Sequence, residues 1–269
     1  MVRLSLLAFS LLVSCFLCLG KAQAKSTEKP LIIAVAANFK PTLEDLIKAY
    51  KVEVTQANIQ ISSASSGVLY AQILRGAPFD LFLSADSERP NLLQQQGLIE
   101  VDTLVTYALG QLVLLAPGFN QLDQDKLKRF SGKIALANPK LAPFGRASKQ
   151  SLKSLGLWDD KRTNLIMANN VSQVAQMVKI GAVPMGLLSK SLLENSDLEH
   201  SWQLPDKYYQ PIVQQMVILK KSGDTALHKQ RAINFYQYII SPKGQAIISH
   251  KGYRLPKLTE INESLSHGR

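Results

Sequence analysis

Residues Ala34–Tyr50 read AVAANFKPTLEDLIKAY, an apolar strand that passes into a helix with almost nothing between them. Leu31–Ala36 is a short run of β-branched and aliphatic residues. From Leu43 the apolar positions fall at Leu43, Leu46, Ile47 and Tyr50, the i, i+3, i+4, i+7 stripe of an amphipathic helix. The turn therefore occupies Ala37–Lys40. Asn38 is a good N-cap, and Pro41 falls in the first turn, where a missing N–H breaks no intrahelical bond. Glu44 and Asp45 lie on the early, dipole-positive side. A helix that starts so close to the C-terminal end of a strand points free N–H groups into the crevice where open α/β sheets hold their ligands. Asn38 thus has two readings, a plain cap and a ligand contact.

The same arrangement recurs along the chain. Ile59–Ser63, with Val52 and Val54 upstream, reads as a second strand. It ends in Ser62-Ser63-Ala64-Ser65-Ser66-Gly67, before a helix carrying Leu69, Tyr70, Ile73 and Leu74. Phe79–Ala85 is a third strand bracketed by Asp80 and Asp86, read as turn and cap residues, and Ser87 caps a helix closed by Gly97. After a crossover near Tyr107–Gly110 come strands at Gln111–Ala116 and Ile134–Asn138. The loop Leu141-Ala142-Pro143-Phe144-Gly145 then opens another helix. Leu165–Ala168 runs straight into the stripe Val171, Val174, Ala175, Val178, with Asn170 as its cap, and Val183–Leu188 is a further strand. Ile212–Leu219 is the natural return crossing, two helices follow over Thr225–Ile240 and from Pro242 to His250, and Tyr253–Pro256 docks back. Strands alternating with helices imply a mostly parallel sheet. The order gives two α/β lobes, the first from residues 27–108 and 217–269 and the second from 109–216, hinged by two strand crossings.

Residues 1–24 stand apart. Arg3 precedes the apolar run Leu4–Leu19, and Ala22-Gln23-Ala24 has the small-x-small pattern of a cleavage site, so this segment reads as a secretory signal peptide cut after Ala24. Leu12-Val13-Ser14-Cys15 also resembles a lipoprotein signal, and lipid anchorage at Cys15 is the alternative, against which the apolar Phe16–Leu19 argues. Both cysteines, Cys15 and Cys18, lie in this leader. The chain after Ala24 therefore forms no disulfide and has no thiol chemistry. The formal charge of +11 falls to +9 without Arg3 and Lys21. The cations are scattered rather than blocked with aromatics, which disfavours nucleic acid and leaves long-range attraction of small anions.

No catalytic constellation is visible. His200, His228, His250 and His267 come late and without metal-ligand spacing, and G-x-S-x-G, P-loop and dinucleotide fingerprints are absent. The reading is a binding protein with no cofactor and no resident metal.

Six motifs in one order, AVAANF, SSASSG, GAPFDLFLSAD, ANPKLAPFGRAS, NNVSQV and VPMGLLS, together with ISPKGQAII and GYRLP near the end, resemble the periplasmic molybdate-binding proteins of bacterial ABC importers. The likeness covers nearly the whole chain after the leader. It implies an α/β type II periplasmic-binding-protein fold of two lobes joined by crossing strands, closing on a tetrahedral oxyanion. It also implies a periplasmic monomer that hands its anion to a membrane permease. Carried over by motif, the contacts fall on Ala37-Asn38, where this chain looks like the branch with Asn in place of Ser. They continue with Ser66 and its neighbour Ser65, and with backbone N–H groups at Phe144 and Val171. Ser189 occupies the place where relatives with Ser in the first motif carry a Tyr.

These residue types suit a dianion that offers only acceptors: hydroxyls, an amide and backbone N–H groups donate, whereas carboxylates would repel it. Selection against sulfate would come from cavity size, and tungstate, almost the size of molybdate, would bind alike. The alternatives are a binder of sulfate or another tetrahedral oxyanion, and a sensor or an enzyme on the same fold.

Overall fold

The computed structural model describes residues 29–160, 164–221 and 223–256. The leader expected over residues 1–24, with Cys15 and Cys18, lies outside them, as does His267. Two five-stranded sheets form the frame. In the first, β1 (Leu31–Ala36) lies between β2 (Ile59–Ala64) and β3 (Leu81–Leu83), all parallel, and β10 (Ile212–Ile218) runs antiparallel between β3 and β4 (Val105–Gly110). In the second, β6 (Ile134–Ala137) pairs in parallel with β7 (Leu165–Ala168) and β8 (Met185–Ser189). There β5 (Leu112–Leu115) runs antiparallel to β8 and carries β9 (Ser201–Gln203) on its far edge.

The strand crossings differ in detail from the sequence reading. Val105–Gly110 is a full strand of the first sheet, and the chain passes to the second sheet at Gln111. All of β10 belongs to the first sheet, so Leu109, Gly110 and Ile212–Met216 lie with the first lobe rather than the second. The β-branched run at Val105-Thr106 and the apolar Tyr107-Ala108-Leu109 make this a buried strand on both faces. Val52 is in the helix α1 (Lys40–Glu53) and Val54 is its C-cap, so neither extends β2.

Helices pack on both sheets: α1, α2 (Ser66–Leu74) and α3 (Glu88–Gln95) in the first lobe, α4 (Gln124–Arg129), α5 (Pro143–Ser154) and α6 (Val171–Lys179) in the second. Helices α7 (Ala226–Ile240) and α8 (Pro242–His250) return to the first lobe. The expected stripes are the buried ones: Leu43, Leu46, Ile47 and Tyr50 on α1, and Val171, Val174, Ala175 and Val178 on α6. Each buried Leu, Ile or Val among them contributes about 1.5–3 kcal/mol of burial free energy. Tyr253 is buried beside Phe39, and Leu109 pairs with Arg254 across an antiparallel bridge, so the C-terminal Tyr253–Pro256 does dock on the first lobe.

Candidate functional site

One small cavity lies between the lobes. From the first lobe it is lined by Ala36, Ala37 and Asn38 after β1, Ser65 and Ser66 opening α2, and Ala85 after β3. From the second it is lined by Ala142, Pro143 and Phe144 opening α5, and Asn170 and Val171 opening α6. The structure thus brings Ala37, Asn38, Ser65, Ser66, Phe144 and Val171 to one place. No Asp, Glu, Lys, Arg or His is among the lining residues. The space admits the centre of about one water-sized group, room for a compact ion and not for an organic ligand, whose pockets run to about 300–1,000 Å³.

The donors face this space with their hydrogens uncommitted. Ser66 does not cap its helix; its Oγ accepts the N–H of Ala85 at 2.9 Å, which leaves its own hydrogen to give. Ser65 Oγ is buried without a hydrogen-bond partner. Such a group costs about 1–3 kcal/mol, which an acceptor placed in the cavity would recover. Phe144 and Val171 belong to the first turns of α5 and α6, where N–H groups have no intrahelical acceptor. Asn170 fixes the start of α6 by accepting the N–H of Gln173 at 3.0 Å. Gly145 lets α5 begin directly on β6, since a Cβ there would come within 2.2 Å of the Ala137 carbonyl oxygen.

Asn38 lines the cavity but is not a cap. It lies in a single 3-10 turn, Ala37–Phe39, and makes no capping bond. Its amide nitrogen donates to Gln214 Oε1 at 2.9 Å and to Tyr253 Oη at 3.1 Å, so both amide hydrogens are engaged away from the cavity. What Asn38 can offer an anion is its backbone N–H. The side chain instead ties the turn to the return strand and to the C-terminal segment. Tyr253 Oη donates to the Asn38 carbonyl at 3.0 Å, and Tyr107 Oη donates to the Ser84 carbonyl at 3.1 Å. Burial holds both phenols well above their ordinary pKa, so they stay O–H donors. Ser189 does not line the cavity: its hydroxyl pairs with that of Ser191 at 2.8 Å. Sequence reasoning missed Gln214 and Tyr107, which belong to no motif at a readable spacing, and read Tyr253 only as part of the docking segment GYRLP.

The lobes are closed on one another. Gly67 N–H donates to the Leu141 carbonyl at 3.0 Å, Ser172 Oγ to the Ala37 carbonyl at 2.8 Å, and Ser191 Oγ to the Asn38 carbonyl at 3.2 Å. On one flank Arg146 of α5 bonds Asp86 at 2.7 Å and also pairs with Glu88. That guanidinium holds the Glu88 carboxyl below the usual carboxylate range. Asp86 does act as a cap, as its Oδ1 accepts Arg89 N–H at 3.2 Å, whereas Ser87 makes no capping bond. On the other flank is a wider groove of about 1050 Å³, lined by charges of both signs such as Lys40, Glu44, Lys179 and Glu194. That mixture fits a dianion less well than the donor-only cavity does.

Among the described residues a His/carboxylate cluster of metal-binding spacing is Asp80, Asp224 and His228. The Lys221 ammonium already pairs with Asp80 there and lies 3.7 Å from Asp224, and His228 Nε2 is 2.8 Å from Asp80. A cation is thus supplied by the chain itself, in a structural knot between β3 and α7.

The sequence pattern of the family described as bacterial extracellular solute-binding protein matches residues 31–254. The chain belongs to that family. The solute-binding protein is 33% identical over 226 residues to the molybdate-binding protein ModA of Rhodobacter capsulatus, covering 83% of this chain and 87% of that one. The solved periplasmic molybdate-binding protein of Azotobacter vinelandii superposes with a TM-score of 0.78 at 36% identity, covering 84% of this chain and 100% of that one. The sulfate-binding protein SubI of Mycobacterium tuberculosis H37Rv shares the fold at 12% identity, with a TM-score of 0.67 over 90% of this chain and 92% of that one. The two-lobe architecture is therefore that of the periplasmic binding proteins.

Within the cavity, Ser66→Ala removes one hydroxyl and strands the Ala85 N–H. Titration calorimetry should show oxyanion binding weakened by about 1–3 kcal/mol. A change under a few tenths would take Ser66 out of the site.

Proposed function

We propose that this solute-binding protein captures molybdate, and tungstate with it, in the cavity between its lobes and delivers the anion to the membrane permease of an ABC importer. The observation that carries the reading is the donor set: Ser65 and Ser66 hydroxyls from one lobe, Phe144 and Val171 N–H groups from the other, with no carboxylate among them. Molybdate is fully deprotonated near neutral pH and presents acceptors on all four oxygens. Helix N-termini spread the compensation of its charge over several dipoles, so no buried Arg or Lys is needed. Each charge-assisted hydrogen bond is worth about 1.5–3 kcal/mol, and several together reach about −8 to −12 kcal/mol after the cost of closing. Phosphate keeps a proton near neutral pH and would need a strong acceptor, and this lining has no carboxylate to supply one. Residues 1–24 support export by a cleaved leader, and the protein acts as a monomer.

The second reading, a sulfate binder, rests on the same donors, because sulfate has the same shape and charge in a smaller tetrahedron. A thermal-shift screen against molybdate, tungstate, sulfate, phosphate and citrate separates the two. At ligand concentrations of about 100–1,000 times Kd, molybdate and tungstate should each raise Tm by roughly 5–16 °C. Sulfate should do so only at far higher concentration, and phosphate and citrate not at all. Equal shifts by sulfate and molybdate at equal concentration would overturn the size argument and leave the oxyanion unassigned.

A further inference from the structure

Arg146 reaches from the second lobe to the first. It leaves the first turns of α5 two residues after Phe144, and its guanidinium spans to Asp86 at 2.7 Å and to Glu88. Asp86 is nearly buried and is already paired with Arg89 of its own lobe. It directly follows Ala85, whose N–H fixes Ser66. The Asp86 end of the pair thus adjoins Ala85, which is hydrogen-bonded to the cavity donor Ser66, and the Arg146 end lies two residues from Phe144. When the lobes part, this pair breaks, and Asp86 keeps Arg89 and the Ser84 hydroxyl of its own lobe. Glu88 and Arg146 are partly exposed, so water solvates both once they separate.

We propose that Arg146 is a positioning residue that latches the closed state and sets the rate at which the anion leaves. It touches no ligand; it holds α5 and its Phe144 N–H against the Ser66 side of the cavity. Charge pairs that form only on closing act mainly on release, since related complexes differ far more in dissociation than in association. The proposal rests on the oxyanion-binding reading for its kinetic arm and on the interlobe geometry alone for its structural arm.

The test uses Arg146→Gln, with Arg146→Lys as the conservative variant. Sodium molybdate release is followed by stopped-flow fluorescence at low and high salt. Arg146→Gln should speed release about tenfold while changing association less than threefold. High salt should speed release from the wild type and leave Arg146→Gln little changed, and Arg146→Lys should recover part of the loss. The second arm is residue-level hydrogen exchange at Gly67, whose N–H is bonded to Leu141 only across the closed interface. Its exchange should rise about tenfold in Arg146→Gln. Release and Gly67 exchange both within twofold of wild type would overturn the latch. If the wild type binds no molybdate, the functional reading fails and the exchange arm still decides the latch.

Discussion

Gly67→Ala is expected to leave the protein folded and to weaken molybdate binding by about 150- to 25,000-fold. A Cβ on Gly67 would stand 2.8 Å from the Leu141 carbonyl oxygen and 3.0 Å from the Arg89 guanidinium. Arg89 can swing aside, but Leu141 is backbone at the mouth of α5, so the second lobe must stay back. An open cleft keeps the Ser65 and Ser66 donors and loses those of Phe144 and Val171. Two charge-assisted bonds at about 1.5–3 kcal/mol each give the stated loss. The sign on stability is the opposite, because Gly67 is in the first turn of α2, where Ala is the better helix former by up to about 1 kcal/mol. Calorimetric titration and thermal melts of the ligand-free protein check both halves. Affinity within threefold of wild type would mean that the lobes do not need this approach to bind.

What the sequence discloses and what it hides divides along physical lines. Periodicity exposed the strands and helix faces, because a stripe such as Val171, Val174, Ala175, Val178 has one place to go once α6 lies on a sheet. The strand-to-helix junctions at Ser66, Phe144 and Val171 were legible for the same reason: a hydroxyl-rich or Pro/Gly turn ends one period and begins another. The strand at Val105–Gly110 was not, since its apolar run continues almost unbroken into β5 and only the change of sheet at Gln111 separates them. Asn38 lies at the cavity, but its amide hydrogens go to Gln214 and Tyr253. Its partners lie 176 and 215 residues away, and no local spacing announces them. Asp80 read as a turn residue and His228 as a histidine without metal-ligand spacing; in the structure Asp80 pairs with both Lys221 and His228, a buried knot that a linear reading of separate residues does not assemble.

The meeting of Gly67 with Leu141 belongs to this hidden class, and so does the reach of Arg146 to Asp86. Each connects segments on different lobes whose relative placement depends on where the chain crosses between the sheets. Donor identity is local chemistry and can be read from motifs. Closure is a property of the whole arrangement, and it decides whether four modest donors act on one ion.

Val171→Pro separates the backbone donor from everything else at its position. Val171 is the first residue of α6, where proline is well tolerated because the lost N–H has no intrahelical acceptor. Asn170 before it already has φ −153° and ψ 170°, the extended conformation that a following proline requires. The side chain is buried, and proline retains most of its apolar volume. The substitution therefore removes one N–H from the cavity at small cost to the fold, and Asn170 continues to cap through Gln173. Molybdate affinity should fall by about 10- to 150-fold, the equivalent of one charge-assisted bond of about 1.5–3 kcal/mol. Val171→Ala keeps the N–H and should stay within a few-fold of wild type, although it removes more buried surface. If the two variants bind equally well, the main-chain group of Val171 does not touch the anion, and the second lobe must hold its ligand through α5 alone.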